Sequence, residues 1–192
     1  VASRGLGDVY KRQKILAGNE KDVLSRFIEI GEREKPDWIV RVTGDNPLTH
    51  SEGIDSLIYQ AINSPTSVSY ISDFISKKLP IGALPEIVRY SALKEISKRG
   101  IADYHRTHVT SFIVESRIGC AAFAPNPNFP ERPGWRWTVD ERQDFEFLCA
   151  LERVSLGKLG HFKYQEIVSH IDKNQWLTRI NNGIKTKLIE EG

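Results

Sequence analysis

The chain has 192 residues, of which 40% are hydrophobic and 27% charged, and its formal net charge is +2 at pH 7. This is the composition of one ordinary soluble domain with a real core, and no apolar run approaches the ~18 residues of a membrane span. Arg4, Lys11 and Arg12 against Asp8 account for the whole +2, so the charge gives no argument for nucleic acid as a partner.

Cys120 and Cys149 lack the paired spacing of a zinc or redox motif and read as two buried thiols. No stretch reads as a secretory leader with a hydrophobic centre, so the expected location is cytoplasmic. Residues 1–13 carry no period that continues into the helical pattern after Asn19, and they look like a translated sequencing adapter; the chain has no Met. They are read as a non-native leader ahead of a domain over residues 14–192, with a genuine disordered arm as the alternative and no site expected in either case.

From Asn19, a candidate N-cap, Val23, Leu24, Phe27, Ile28 and Ile30 fall on one helical face that stops before Pro36. Ile39, Val40 and Val42 then read as a buried strand of a parallel sheet, ended by Gly44. Asp45 comes at once after it, at the carboxyl edge where open α/β sheets bind ligands. The alternative is that it only closes a turn by accepting backbone amides. A second helix is predicted through Ile54, Leu57, Ile58, Ala61 and Ile62, capped by Ser51, then a strand through Val68 and Tyr70. Residues 77–85 read as a loop, 86–90 as a strand, and Ser91 as the cap of a short helix ended by Gly100.

Residues 103–116 have helical spacing, with enough β-branching to leave a strand open. A brief strand at 120–124 and a proline-rich loop precede Trp135 to Val139, a strand that ends, like the first, at a carboxylate: Asp140. A helix through Phe145, Leu148 and Leu151 and two further helical segments, near 164–171 and 175–180, complete the pattern. No repeat is present.

Two strands that each end in an aspartate suit Mg²⁺, a hard ion that takes one or two carboxylates together with phosphates and waters. The sequence has no phosphate-binding glycine loop, no zinc-binding histidine pair and no serine nucleophile elbow. His105 and His108 are three apart, and His108 alone reads as a hydrogen-bonded packing residue. Trp135 and Trp137 read as core.

The runs Val40-Arg41-Val42-Thr43-Gly44-Asp45-Asn46-Pro47-Leu48, Leu79-Pro80-Ile81-Gly82 with Glu86-Ile87-Val88, Arg106-Thr107-His108-Val109-Thr110, and Trp137-Thr138-Val139-Asp140 with Asp144-Phe145 occur in that order. In order and spacing they resemble the sugar-activating cytidylyltransferases, of the spore-coat-polysaccharide type and more distantly the acylneuraminate and deoxy-octulosonate types. The resemblance covers about residues 14–190.

It implies an α/β nucleotide-diphospho-sugar transferase fold, a GT-A-like mixed sheet with helices on both faces. It also implies transfer of CMP from CTP to an acidic or amino sugar for surface polysaccharide or glycan synthesis, with CTP and the sugar as partners. Asp45 and Asp140 match the catalytic Mg²⁺ ligands, while Arg41, Glu86, Arg106 and His108 match positions lining or supporting the sugar side. Asp144 has the place of a helix cap. A homodimer is common in such families. The first βαβ portion of that family, with its basic glycine-containing nucleotide loop, has no counterpart here, so the domain is expected to be partial and inactive alone. The alternatives are a glycosyltransferase of the same fold, against which Asp45-Asn46-Pro47 is not a D-x-D, and a non-catalytic domain of a polysaccharide-synthesis assembly.

Overall fold

A computed structural model describes residues 15–184, so the proposed leader lies outside the described residues. Helix α1 (Val23–Glu34) is capped by Asp22, whose carboxylate accepts from the Ser25 amide at 3.1 Å. Asn19 makes only a local turn, accepting from the Lys21 amide. Lys35 ends the helix with φ 48°, directly before Pro36. Strand β1 (Trp38–Arg41) and helix α2 (Ser51–Ile62) come next. The N-cap of α2 is His50, which makes no side-chain capping bond, and Ser51 is already inside the helix.

Strand β2 (Tyr70–Ser72) runs into a one-turn helix, α3 (Asp73–Ser76), that the sequence pattern did not suggest. Strand β3 (Glu86–Arg89) is followed by α4 (Tyr90–Ser97), whose cap is Arg89 rather than Ser91. The 103–116 stretch is helical but broken, into α5 (Asp103–His108) and α6 (Ser111–Ser116), by Val109 at φ 59°. Then come β4 (Cys120–Ala122), α7 (Arg142–Val154) and α8 (Tyr164–Lys173), with 3-10 turns at Leu159–His161 and Gln175–Arg179.

The four strands form one mixed sheet in the order β1-β3-β2-β4. β1 was expected to lie in a parallel sheet. It pairs antiparallel with β3, Trp38 opposite Arg89 and Arg41 opposite Glu86, and all four of its residues are half-buried. A short β-branched run is compatible with either partner direction. The charges at Arg41 and Arg89 mark a strand whose surroundings are only partly apolar, and Arg89 lies 4.2 Å above the Trp38 ring.

Alternation along the central strands fills two cores. Ile71 and Ile87 join Leu57, Phe147, Leu151 and Ile167 on the α2, α7 and α8 side, whereas Tyr70 and Val88 join Leu24, Leu93 and Ile113 on the side of α1, α4 and α6. Helices thus cover both faces, as the resemblance implied. Each fully buried aliphatic side chain contributes roughly 1.5–3 kcal/mol. A one-residue slip of β3 would turn Glu86 into the first core, so the register is strongly specified.

Trp135 to Val139 is extended but is not a ladder strand. It forms a single parallel bridge, in which Ile81 donates to the Trp135 carbonyl at 2.8 Å and Trp137 to the Ile81 carbonyl at 2.7 Å. Pro80 has no amide to donate and Gly82 leaves the extended region at φ +84°, so the pairing cannot propagate. Trp137 is core as expected, Trp135 is only half-buried against it, and the two cysteines are free and half-buried rather than fully buried. No helix among the described residues is long and apolar enough to cross a membrane.

Candidate active site

Because β1 and β2 run antiparallel to β3 and β4 runs parallel to β2, the carboxyl ends of β1, β2 and β4 share one sheet edge with Glu86. Two groups of side chains flank that edge.

The first is built on the aspartates. Beyond β1 the chain turns tightly, with the Asn46 amide donating to the Thr43 carbonyl at 3.3 Å and Asn46 Nδ2 to Thr43 Oγ1 at 2.8 Å. Asp45 is exposed, and its carbonyl accepts from the Val139 amide at 2.8 Å and from Thr138 Oγ1 at 3.4 Å. This contact joins the two aspartate-bearing segments, although Asp45 and Thr138 are 93 residues apart in the chain. Gly82 sits between them. A Cβ there would lie 2.6 Å from Asn46 Oδ1 and 2.7 Å from the Thr138 nitrogen, at a φ that L side chains avoid, so the approach requires glycine. Asp73 holds the other end of that loop, accepting from the amides of Lys78 at 3.2 Å and Leu79 at 2.9 Å.

Asp140 is held from both ends. Arg136 Nη2 donates to its Oδ2, and its backbone amide donates to Asp144 Oδ2 at 3.1 Å. The Arg136 Nε donates to Asp144 Oδ1 at 2.9 Å. Arg136 and Asp144 side chains are 6% and 0% exposed, whereas Asp140 keeps 46%, so Asp140 is the member of the three that a ligand can reach. Burial opposes the Asp144 charge, but Arg136, Asn181 and two amides outweigh it and hold the carboxyl below the ordinary range. Burial likewise opposes the Arg136 charge, and the Asp144 and Asp140 carboxylates more than offset it.

The second group surrounds Glu86, whose carboxylate accepts from Arg41 Nη1 and Tyr70 Oη at 2.6 Å each and from Thr110 Oγ1 at 2.9 Å. Burial, and then the Glu86 charge, push the Tyr70 hydroxyl far up, keeping it a donor. Thr110 is fixed by a tight turn in which its amide donates to the His108 carbonyl at 2.6 Å across Val109, at φ 59° and ψ −59°. That is a γ-turn on a β-branched residue, a strained geometry costing on the order of 1–3 kcal/mol. His108 Nε2 is buried and has no hydrogen-bond partner among the described residues. Burial, then Arg41 and His105, depress its pKa, so it is neutral at pH 7. His105, by contrast, is tied to Ser111 Oγ at 2.9 Å.

Arg41, Glu86 and His108 are therefore brought together, and Asp45 lies four residues beyond Arg41, at most ~14 Å of chain. Arg106 is not brought to this edge. Its guanidinium donates to Asp22 Oδ2 at 3.0 Å and to the Ser97 carbonyl at 3.5 Å, bracing α5 against the start of α1. Arg136, Tyr70 and Asn181, which help build the two groups, were not singled out by the sequence patterns, and Thr110 stood in a motif run without a role of its own. Arg136 stood four residues before Asp140, a usable hint, but nothing local marks Asn181.

No group of three or more His, Cys, Asp or Glu side chains converges on a metal-sized site among the described residues. The exposed Asp45 carboxylate and the remaining Asp140 oxygen suit an ion completed by substrate phosphate and water, the habit of Mg²⁺. The residues present fit that ion.

The sequence model of a family described as cytidylyltransferase matches residues 13–148, which include both aspartates and the Glu86 group. The chain belongs to the cytidylyltransferase family. Members of this family are nucleotidyltransferases. An uncharacterized protein of Methanocaldococcus jannaschii is 31% identical over 178 residues, covering 92% of this chain and 70% of its own length. The spore coat polysaccharide biosynthesis protein SpsF of Bacillus subtilis is 28% identical over 163 residues, covering 84% of this chain and 65% of its own length. The chain thus spans about two thirds of these relatives. The structure of a cytidylyltransferase from Leptospira borgpetersenii superposes with a TM-score of 0.77 at 20% identity, over 97% of this chain and 78% of that one, which shows the shared fold.

Proposed function

We propose that this domain serves Mg²⁺-dependent transfer of CMP from CTP to an acidic or amino sugar, in the synthesis of a surface polysaccharide or glycan. The observation that supports the reading is the Val139-to-Asp45 backbone bond at 2.8 Å, which joins the main chains of two family motifs that each carry an aspartate. Asp45 and Asp140 would hold the ion. When bound, it neutralises charge on the triphosphate and orients it.

In the reaction a sugar hydroxyl oxygen forms a bond to the α-phosphorus, the bond from that phosphorus to the α–β bridging oxygen breaks, and pyrophosphate leaves with the electron pair. The sugar proton passes to water, because the Nε2 of His108, although unpartnered, is buried, and His108 lines the sugar side rather than taking the proton. Arg41 is neutralised by Glu86 and shapes the sugar side without presenting a free charge. Arg106 serves as a brace rather than as a substrate contact. A cytoplasmic location, where CTP is made, fits this reading.

The test is pyrophosphate release from CTP by the product of the whole gene, with and without Mg²⁺, across acidic and amino sugars. Release should require both the ion and a sugar, and Asp45→Asn should lower it at least 100-fold. Undiminished release in that variant would refute the metal assignment.

A further inference from the structure

We infer that Asn181, on the turn after the last 3-10 helix, is a positioning residue for the metal-binding carboxylate Asp140 and acts through the buried Arg136–Asp144 pair. The inference rests on the proposed metal site and adds to it a residue outside the 13–148 stretch that the family model matches.

A buried ion pair is tolerable only when its remaining lone pairs and protons are satisfied. Asp144 meets that condition completely, whereas on the Arg136 side Nη1 is buried without a hydrogen-bond partner among the described residues, so Asp144 is the satisfied half of the pair. Its Oδ1 accepts from Arg136 Nε at 2.9 Å and Asn181 Nδ2 at 3.0 Å, and its Oδ2 from the amides of Asp140 at 3.1 Å and Glu141 at 3.0 Å. Four bonds fill the roughly four acceptor directions of a carboxylate. Asn181 Nδ2 also donates to the Arg136 carbonyl at 3.0 Å, so one amide group grips the backbone of one partner and the side chain of the other. Asn181 is itself 4% exposed.

The geometry passes directly to Asp140. The planar Arg136 guanidinium spans two carboxylates, with Nε on Asp144 and Nη2 on Asp140, which sets the direction of the Asp140 side chain. Asp144 fixes the Asp140 backbone from the opposite side. If Asn181 is removed, Asp144 loses one of its four donors and the Arg136 carbonyl loses its partner. The pair then gains freedom to rotate, and Asp140 moves with it. Groups that orient a metal ligand in this way typically change metal affinity 10- to 100-fold when lost.

The experiment uses the whole 192-residue chain with Mn²⁺ as the probe, free ion being read by electron paramagnetic resonance, together with hydrogen exchange at the Asp140 and Glu141 amides in metal-free protein. Asn181→Leu should weaken Mn²⁺ binding 10- to 100-fold and speed exchange at those two amides, while circular dichroism stays that of the parent. Ile171→Val, a trim in the core of α8, gives the affinity change expected from lost stability alone and should shift Kd less than twofold. If the leucine variant does not fold, Asn181→Ser supplies the same readouts. Mn²⁺ affinity within twofold of the parent, with Asp45→Asn still binding weakly, would show that Asn181 is purely structural and would overturn the inference alone. Parent-like affinity in Asp45→Asn as well would overturn the metal reading and the inference with it.

Discussion

Asp140 and Glu86 are both acidic residues at the same sheet edge, and they are used in opposite ways. Glu86 is saturated: Arg41, Tyr70 and Thr110 all donate to a side chain that is 14% exposed. Asp140 gives one oxygen to Arg136 and keeps 46% of its side chain in solvent, with a fully buried aspartate beneath it to take the structural load. A carboxylate whose acceptors are full organises its neighbours, and one with an oxygen to spare can bind a cation.

The largest effect that would break this contrast is at Asp144. Asp144→Ala leaves the Arg136 charge buried without its principal partner and should cost about 3–5 kcal/mol in denaturant unfolding. A loss below 1 kcal/mol would mean that the pair carries no structural load. Glu86→Gln should cost less, about 1–3 kcal/mol, because the amide still accepts from one or two of the donors while Arg41 loses its counter-charge. The same variant should leave Mn²⁺ affinity unchanged, and a change there would erase the distinction between the two carboxylates.

The smallest expected effect is in the pH dependence. Burial depresses the pKa values of His50 and His108 below 6.5, so the unfolded chain binds protons there that the folded one does not. Stability should therefore fall as pH drops below about 6.5 and level off beneath the depressed folded values. His108→Gln should flatten part of that slope in melts taken between pH 7 and 5. An unaltered slope would place His108 in solvent.

Most of the fold was legible because periodicity reports burial. The face of α8 and the alternation in β2 and β3 follow from apolar spacing alone, whereas on α1 and α2 the spacing drew the buried face too wide, since Ile30, Ile58 and Ile62 are exposed. The direction of β1 was not legible, since Ile39, Val40 and Val42 suit either kind of partner, and the 135–139 strand dissolved into a single bridge because Pro80 and Gly82 lie on its partner. Helix caps were misplaced at Ser51 and Ser91 because the backbone there turned one or two residues earlier than the nearest capping side chain.

At the site, Asp45 and Asp140 were visible as strand-terminal acids, but what joins them is a bond between main-chain atoms, which no side-chain pattern encodes. Asn181 was invisible for a related reason. A buried asparagine that satisfies partners 37 and 45 residues away leaves no local trace. Arg106 shows the converse, a residue at a motif position whose guanidinium is occupied by Asp22.

The most direct test of the central claim is Mn²⁺ binding by the parent chain and by Asp45→Asn and Asp140→Asn, each matched by a thermal melt. If the two aspartates share one ion, both variants should lose the same single site, by 10-fold or more, with melting midpoints that change little. Loss in one variant with parent-like binding in the other would show that the two strand ends do not form a common site.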